Sequence, residues 1–361
     1  MSKKDPLRGK KIFIGFNSAG SAGIYAFTRV LRRRGYQIDF YGIKKLYFDM
    51  PVDFLLEFSD NPYLSFFQRV GYFLKIFSKY DVWHFNFMEV FFFYPVNLFI
   101  LKLLGKKIVV TFRGIDVQTD LEFLPKNLYL KSSPERWPEY YQNQFLPRNL
   151  WLNFLKRIRR EIFIWFADQV ILTGPFLAGQ VSRYDKIIPY AREVNLLAKY
   201  QKNNKNLKIL HIPSDPVVKG TEIIEKTFKI LQKKYPKIEF KILEKIPREK
   251  LLLEMASSDI IIDQLLIGWY GGQAVEAMAL GKVVMAFLNP VYFQLTPFVD
   301  QVPIWNTNIW TFRQDLEMLL RLYPYIKDEW QKKTFEFAKK EHDALKIASL
   351  YLKAYQEIYG K

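Results

Sequence analysis

A chain of 361 residues exceeds one typical hydrophobic core. With half its residues apolar and a quarter charged, it reads as a folded protein of two domains and not as a disordered one. The absence of cysteine excludes disulfide staples, thiolate metal sites and thiol nucleophiles, and accords with a reducing cytoplasm. The net charge of +18 is uneven, with 28 Lys/Arg against 16 Asp/Glu in residues 1–190 and 26 against 20 beyond, which suits an anionic partner such as a nucleotide or a phospholipid surface. A purely compositional origin of that excess stays open.

The opening "MSKKDPLRGKKIFIGF" is basic, but its apolar run is only five residues long and predicts a strand at Ile12–Phe16, not a signal peptide. No run of about 18 uncharged apolar residues follows, so no transmembrane helix is expected. Further strands are predicted at Gln37–Tyr41, Val82–Phe85, Ile108–Phe112 and Gln169–Thr173, with helices at Ile24–Arg33 and Asn97–Leu104 between them. This alternation is the signature of βαβ units on a parallel sheet. Residues 120–148 carry Pro125, Pro134, Pro138 and Pro147 without a clear period, an irregular insert of functional or mobile character.

A polar stretch, "YQKNNKNLK" at 200–208, reads as a linker. Alternation then resumes: a strand at Ile209–Ile212, a helix after Gly220, a strand at Glu239–Leu243 and a helix from Arg248. A central strand at Asp259–Leu266, a helix from Gly272 and a strand at Lys282–Phe287 follow. From about Trp310 the chain is mainly helical. Two α/β sheets in series are therefore expected, with ligand chemistry in the loops after the strands.

Three such loops stand out. Gly20, Ser21 and Gly23 lie between the first strand and the first helix, where glycines let backbone amides approach a phosphate or sugar; a plain tight turn explains them equally. In "HIPSDPVVKGTEII", Lys219 stands where a cation meets a diphosphate at a helix start. The helix dipole disfavours an idle lysine there. In "DQLLIGWYGGQAVEAMALGKVV", Gly268, Gly271 and Gly272 precede a helix that holds Glu276 among apolar residues. A carboxylate buried there needs partners, and ribose hydroxyls would serve; a helix-start glutamate stabilising its own terminus is the plainer reading.

These segments, with "DVWHFNF", "LLGKKIVVTFRGIDV" and "KIIPYAREVN" upstream, resemble retaining glycosyltransferases of the two-domain GT-B fold, the family 4-like group. The resemblance implies an α/β chain of two Rossmann-like domains in series with a central cleft. They would comprise an acceptor-side domain at 1–192, a nucleotide-sugar-binding domain at 200–325 and helices at 326–361 returning to the first. It implies a sugar moved from a nucleotide diphosphate donor, UDP- or GDP-linked, to a hydroxyl of a glycan or lipid-linked acceptor. Neither a metal nor another cofactor is implied, and no nucleic acid partner is expected.

Carried over by position, Glu276 matches the second glutamate of the Glu-seven-residues-Glu motif and would hold the ribose. Gly268 stands where the first glutamate belongs. Lys219 matches the phosphate-binding lysine, with Ser214 in the same loop, and the amides of Gly271 and Gly272 would lie beside the diphosphate. Arg113 replaces a histidine near the sugar, where it can neutralise phosphate but cannot act as a base. Gly114 and Asp116 persist, and His84 and Asn86 are acceptor-side candidates. A nucleotide-sugar epimerase and a non-catalytic sugar-nucleotide binder are the rival readings.

Two basic, aromatic segments remain. "NLWLNFLKRIRREIFIWF" aligns Trp151, Leu155, Ile158, Ile162 and Trp165 on one helical face, and "LSFFQRVGYFLKIFSKY" (64–80) is similar. Each by itself is expected to pack on the first sheet. Together they keep a lipid-linked acceptor and contact with an anionic membrane in play, at the inner face of the plasma membrane of a cytoplasmic protein.

Overall fold

The computed structural model describes residues 5–15, 22–43, 52–86, 90–92, 94–114, 150–197, 200, 206–296 and 302–360. Gly20, Ser21, Asp116 and the proline-rich insert lie outside the described residues. In chain order the elements begin with β1 (Lys11–Gly15), α1 (Ala22–Arg33), β2 (Gln37–Ile43), β3 (Phe54–Leu56), α2 (Pro62–Ile76) and β4 (Val82–Asn86). Then come α3 (Tyr94–Leu103), β5 (Lys107–Phe112), α4 (Leu150–Phe166), β6 (Gln169–Leu172) and β7 (Lys186–Ile187).

The second half holds α5 (Val194–Leu197), β8 (Lys208–His211), α6 (Pro216–Lys219), α7 (Thr221–Lys234), β9 (Glu239–Ile242) and α8 (Arg248–Ala256). It continues with β10 (Ile260–Ile262), α9 (Gly272–Ala279), β11 (Val283–Ala286), β12 (Trp305–Asn306), α10 (Phe312–Glu341) and α11 (Ala344–Glu357).

The chain divides into two compact units, each built on one parallel sheet. In the first the strand order is β3-β2-β1-β4-β5-β6-β7, and β4 and β6 are buried along their whole length because helices cover both faces. Its core joins Ile12, Ile14, Phe27 and Val109 to Ile347, Tyr351 and Tyr355 of α11, whose Tyr351 ring stacks on Phe27 at 4.1 Å. Helix α2 starts sharply, since Asn61 Oδ1 accepts hydrogen bonds from the amides of Tyr63 and Leu64 and Pro62 fits the first turn.

The second unit has the order β12-β11-β10-β8-β9, with Ile260 and Ile262 of β10 in register with Ile209 and His211 of β8. Ile224, Phe228 and Leu231 of α7 and Phe312, Leu316, Leu319 and Leu320 of α10 close its core.

Three expectations need correction. The strand expected over Asp259–Leu266 spans only Ile260–Ile262; from Asp263 onward the chain turns, since the Asp263 carboxylate takes the Gly271 amide and the Gln264 carbonyl takes that of Phe287. The return to the first unit lies at Ala344 and not at 326. Helix α10 runs unbroken through Pro324, and its Tyr323, Ile326 and Trp330 pack on the second unit's core. Of the stripe on α4, Leu155, Ile158 and Trp165 are exposed and Ile162 is half-buried, while Phe163 and Ile164 are the buried pair; the Trp151 side chain lies outside the described residues.

Candidate functional site

The carboxyl ends of the strands in the second unit gather a set of buried charges. Asp263 follows β10 directly and is 1% exposed. Its Oδ1 lies 2.5 Å from Nζ of Lys219, and its Oδ2 accepts a 2.7 Å hydrogen bond from the Gly271 amide. One carboxylate thus ties the loop after β8 to the turn before α9. The Lys219 carbonyl adds a second tie by accepting from the Leu265 amide at 3.2 Å.

Glu276, one turn into α9 and 2% exposed, forms the neighbouring cluster. Its Oε1 lies 2.8 Å from Nε of Arg192 and 2.8 Å from Nη2 of Arg248. Arg192 Nη2 also donates to the Gly272 carbonyl at 3.0 Å. Burial alone would raise the Glu276 pKa, but the two guanidiniums outweigh it and hold the carboxyl below its ordinary range. Three cations therefore converge on two carboxylates at a helix start, an arrangement suited to receiving phosphate.

Glycine geometry explains the departure at 268. Gly268 has φ +81°, and a Cβ there would meet Asn289 Cβ at 3.0 Å and the Tyr292 ring at 3.1 Å. Its carbonyl accepts from the Asn289 amide at 2.8 Å. Gly268→Glu, which restores the motif residue, is expected to destabilise the protein by about 2–4 kcal/mol, from left-handed backbone strain plus overpacking. Thermal unfolding checks this, and an unchanged midpoint would show the turn to be adaptable. At Gly272 a Cβ would fall 2.4 Å from Arg192 Nη2, so the missing side chain is what lets that arginine reach Glu276. The Gly271 amide, expected beside a diphosphate, is instead engaged by Asp263.

All three histidines are buried and hydrogen bonded inside their own unit. His211 Nδ1 donates to the Ile262 carbonyl at 2.9 Å, which leaves Nε2 to accept from the Thr221 hydroxyl at 2.9 Å. Burial pushes its pKa down to about 4, with the Lys219 charge adding to the fall. His342 Nε2 meets the Tyr270 hydroxyl at 3.0 Å. His84, an acceptor-side candidate from sequence, has both nitrogens engaged, by Tyr355 and Thr111, each at 2.7 Å. Its pKa falls to about 3 through burial and the nearby Arg113 charge.

In the first unit, Arg113 directly follows β5 with its guanidinium carbon 5.9 Å from the Tyr190 ring, and its carbonyl accepts from the Tyr190 hydroxyl at 3.0 Å. Asn86 ends the adjacent β4; its Nδ2 donates to the Gly15 carbonyl at 3.3 Å, while its buried Oδ1 has no hydrogen-bond partner among the described residues. Gly23 is buried in the first turn of α1. In the second unit, Ser214 is exposed in the loop after β8.

Sequence reasoning missed Asp263, Arg192 and Arg248. A signal for Asp263 existed, a lone acid directly after an all-isoleucine strand at its ligand-facing end. The two arginines carry none, since 56 positions separate them from each other and no spacing links either to Glu276. Among the described residues, no group of three or more His, Asp or Glu side chains is placed to hold a metal ion.

No family model matches the chain, and no curated protein matches its sequence. Solved structures do match its fold over nearly the whole length. A sucrose-phosphate synthase from Thermosynechococcus elongatus superimposes with a TM-score of 0.62 and 15% identity, over 97% of this chain and 99% of that one. A glycosyltransferase from Rickettsia africae ESF-5 gives 0.61 and 13%, with coverage of 97% and 99%. Anabaena Alr3699/HepE, solved with UDP-glucose, gives 0.57 and 13%, with coverage of 96% and 99%. The two parallel sheets with alternating helices are those of the GT-B glycosyltransferases.

Proposed function

We propose that this chain, with the fold of GT-B glycosyltransferases, is a retaining glycosyltransferase of the family 4-like group. It would move a sugar from a nucleotide diphosphate donor to a hydroxyl of a glycan or lipid-linked acceptor. The observation that carries the reading is the constellation of buried Lys219, Arg192, Asp263 and Glu276 with the half-buried Arg248. In the transfer, the bond from the anomeric carbon to the diphosphate oxygen breaks and negative charge grows on the departing group. Preformed cations in a water-poor site stabilise that charge without reorganising. Lys219 is assigned to the diphosphate. Both guanidiniums meet Oε1 of Glu276, so Oε2 is the oxygen assigned to a ribose hydroxyl. Arg113 and Asn86 are assigned to the acceptor side.

The test is product analysis after incubation with a panel of UDP- and GDP-sugars, with and without acceptor extracts and with and without chelator. Transfer with retained anomeric configuration, unaffected by chelator, is expected. An epimerised sugar as sole product would replace this reading with the epimerase one, which the three engaged histidines disfavour. Binding without turnover would favour the non-catalytic reading, which Gly268 supports by removing the motif's first carboxylate. Glu276→Gln is expected to weaken nucleotide binding at least tenfold, about 1.4 kcal/mol; equal affinity by calorimetry would refute its role.

A further inference from the structure

The crossovers β3–α2–β4, β4–α3–β5 and β5–α4–β6 all step the same way along the first sheet. Right-handed crossovers therefore place α2, α3 and α4 together on one face, while α1, which steps the other way, lies on the opposite face with α11 against it. A helix in such a layer normally presents one apolar stripe to the sheet and a polar surface to water. These three do not.

On α2, Tyr63 (79% exposed), Phe67 and Leu74 recur at helical spacing on the outer side, while Phe73 and Ile76 face the core. On α3, Val96, Phe99 and Leu103 (75% exposed) do the same opposite buried Leu98 and Leu101. On α4, Phe154, Ile158 and Trp165 (78% exposed) form a third stripe opposite Phe163 and Ile164. The charge on these helices is almost all of one sign: seven Lys/Arg against one acid, Glu161. Lys75, Arg157 and Arg159 among them are exposed.

We infer that the outer face of α2, α3 and α4 is a docking surface for an anionic lipid bilayer. Aromatic and aliphatic side chains would enter the interface between headgroups and acyl chains, and the lysines and arginines would meet lipid phosphate. The charge decides the occupant. A second copy of the chain on this face would set the exposed Lys75, Arg157 and Arg159 against their own counterparts, whereas an anionic bilayer neutralises them. Among the described residues no helix is long and apolar enough to cross a membrane, so the contact is one of lying on the surface. The inference does not depend on the donor reading, because vesicle binding requires no sugar nucleotide.

The full chain is sedimented with vesicles of phosphatidylcholine alone and with vesicles containing about one-third phosphatidylglycerol, at low and high salt. Co-sedimentation with the anionic vesicles only, reduced by salt, is expected. Arg157→Gln and Arg159→Gln should each weaken it about fivefold. Phe67→Ser/Phe99→Ser/Trp165→Ser should weaken it on the order of a hundredfold while leaving UDP and GDP binding unchanged, since these exposed side chains belong to the first unit and the charged cluster to the second. An unchanged circular dichroism spectrum and an unchanged unfolding midpoint show the variant to be folded. Failure of the wild type to sediment, equal binding to neutral vesicles, or undiminished binding by the triple variant would overturn the inference. A wild-type dimer that the triple variant makes monomeric, without vesicle binding, would assign the face to a second copy instead.

Discussion

Asp263→Asn is expected to lower the unfolding free energy by about 3–5 kcal/mol, because it removes one partner of a buried ion pair and strands the other. The geometry makes the loss specific. An asparagine offers one acceptor and one donor where the carboxylate offers two acceptors, and both neighbours, the Lys219 ammonium and the Gly271 amide, are donors. Either the ammonium or the turn before α9 must go unsatisfied. Nucleotide affinity should fall in parallel, since the same carboxylate positions the lysine.

The double variant Lys219→Met/Asp263→Asn separates the two effects. Removing both charges should recover much of the stability, as replacing buried pairs by apolar groups often does, but should not recover nucleotide binding. Urea unfolding and calorimetric titration with UDP and GDP provide the readouts. A double variant that binds nucleotide like the wild type would exclude Lys219 from the diphosphate site.

Acid should destabilise this protein well before its carboxylates titrate. His84 and His211 have folded-state pKa values near 3 and near 4, against an ordinary 6.5. A depressed folded value means that stability is fully present above pH 6.5 and is lost as the pH falls, because the unfolded chain takes up the protons that the folded one refuses. With two such groups, lowering the pH from 7.5 to 5.5 should cost about 3 kcal/mol, and reaching pH 4.5 about 5 kcal/mol. The groups responsible are the sealed contacts of His84 with Tyr355 and Thr111 and of His211 with Ile262 and Thr221. Urea midpoints across this range test the slope, and imidazole proton shifts should stay flat down to pH 5. A flat stability profile would mean that the rings are open to solvent.

Much of the architecture was legible in the order of residues. Short β-branched runs such as Ile260–Ile262 and Val283–Ala286, separated by helical stretches, specify parallel strands because only sheets covered on both faces carry continuous apolar strands. The segment around Glu276 was legible as a turn leading into a helix because glycines and one carboxylate stand out against apolar neighbours. The meaning of Gly268 was not. It looked like the loss of a functional glutamate, and the fold shows a position whose φ of +81° and contacts with Asn289 and Tyr292 leave no space for one.

By itself, then, the order of residues determined the two α/β sheets, the strand ends where ligands would bind, and the identity of Lys219 and Glu276 as isolated charges. Local propensity and hydrophobic period act over a few residues, and they suffice for that. Only the tertiary structure decided the partners of those charges. Arg192 and Arg248 reach Glu276 across 84 and 28 positions, and Asp263 reaches Lys219 across 44. It also decided which face of α4 is turned outward, since a helix apolar on more than one side leaves that choice to its neighbours.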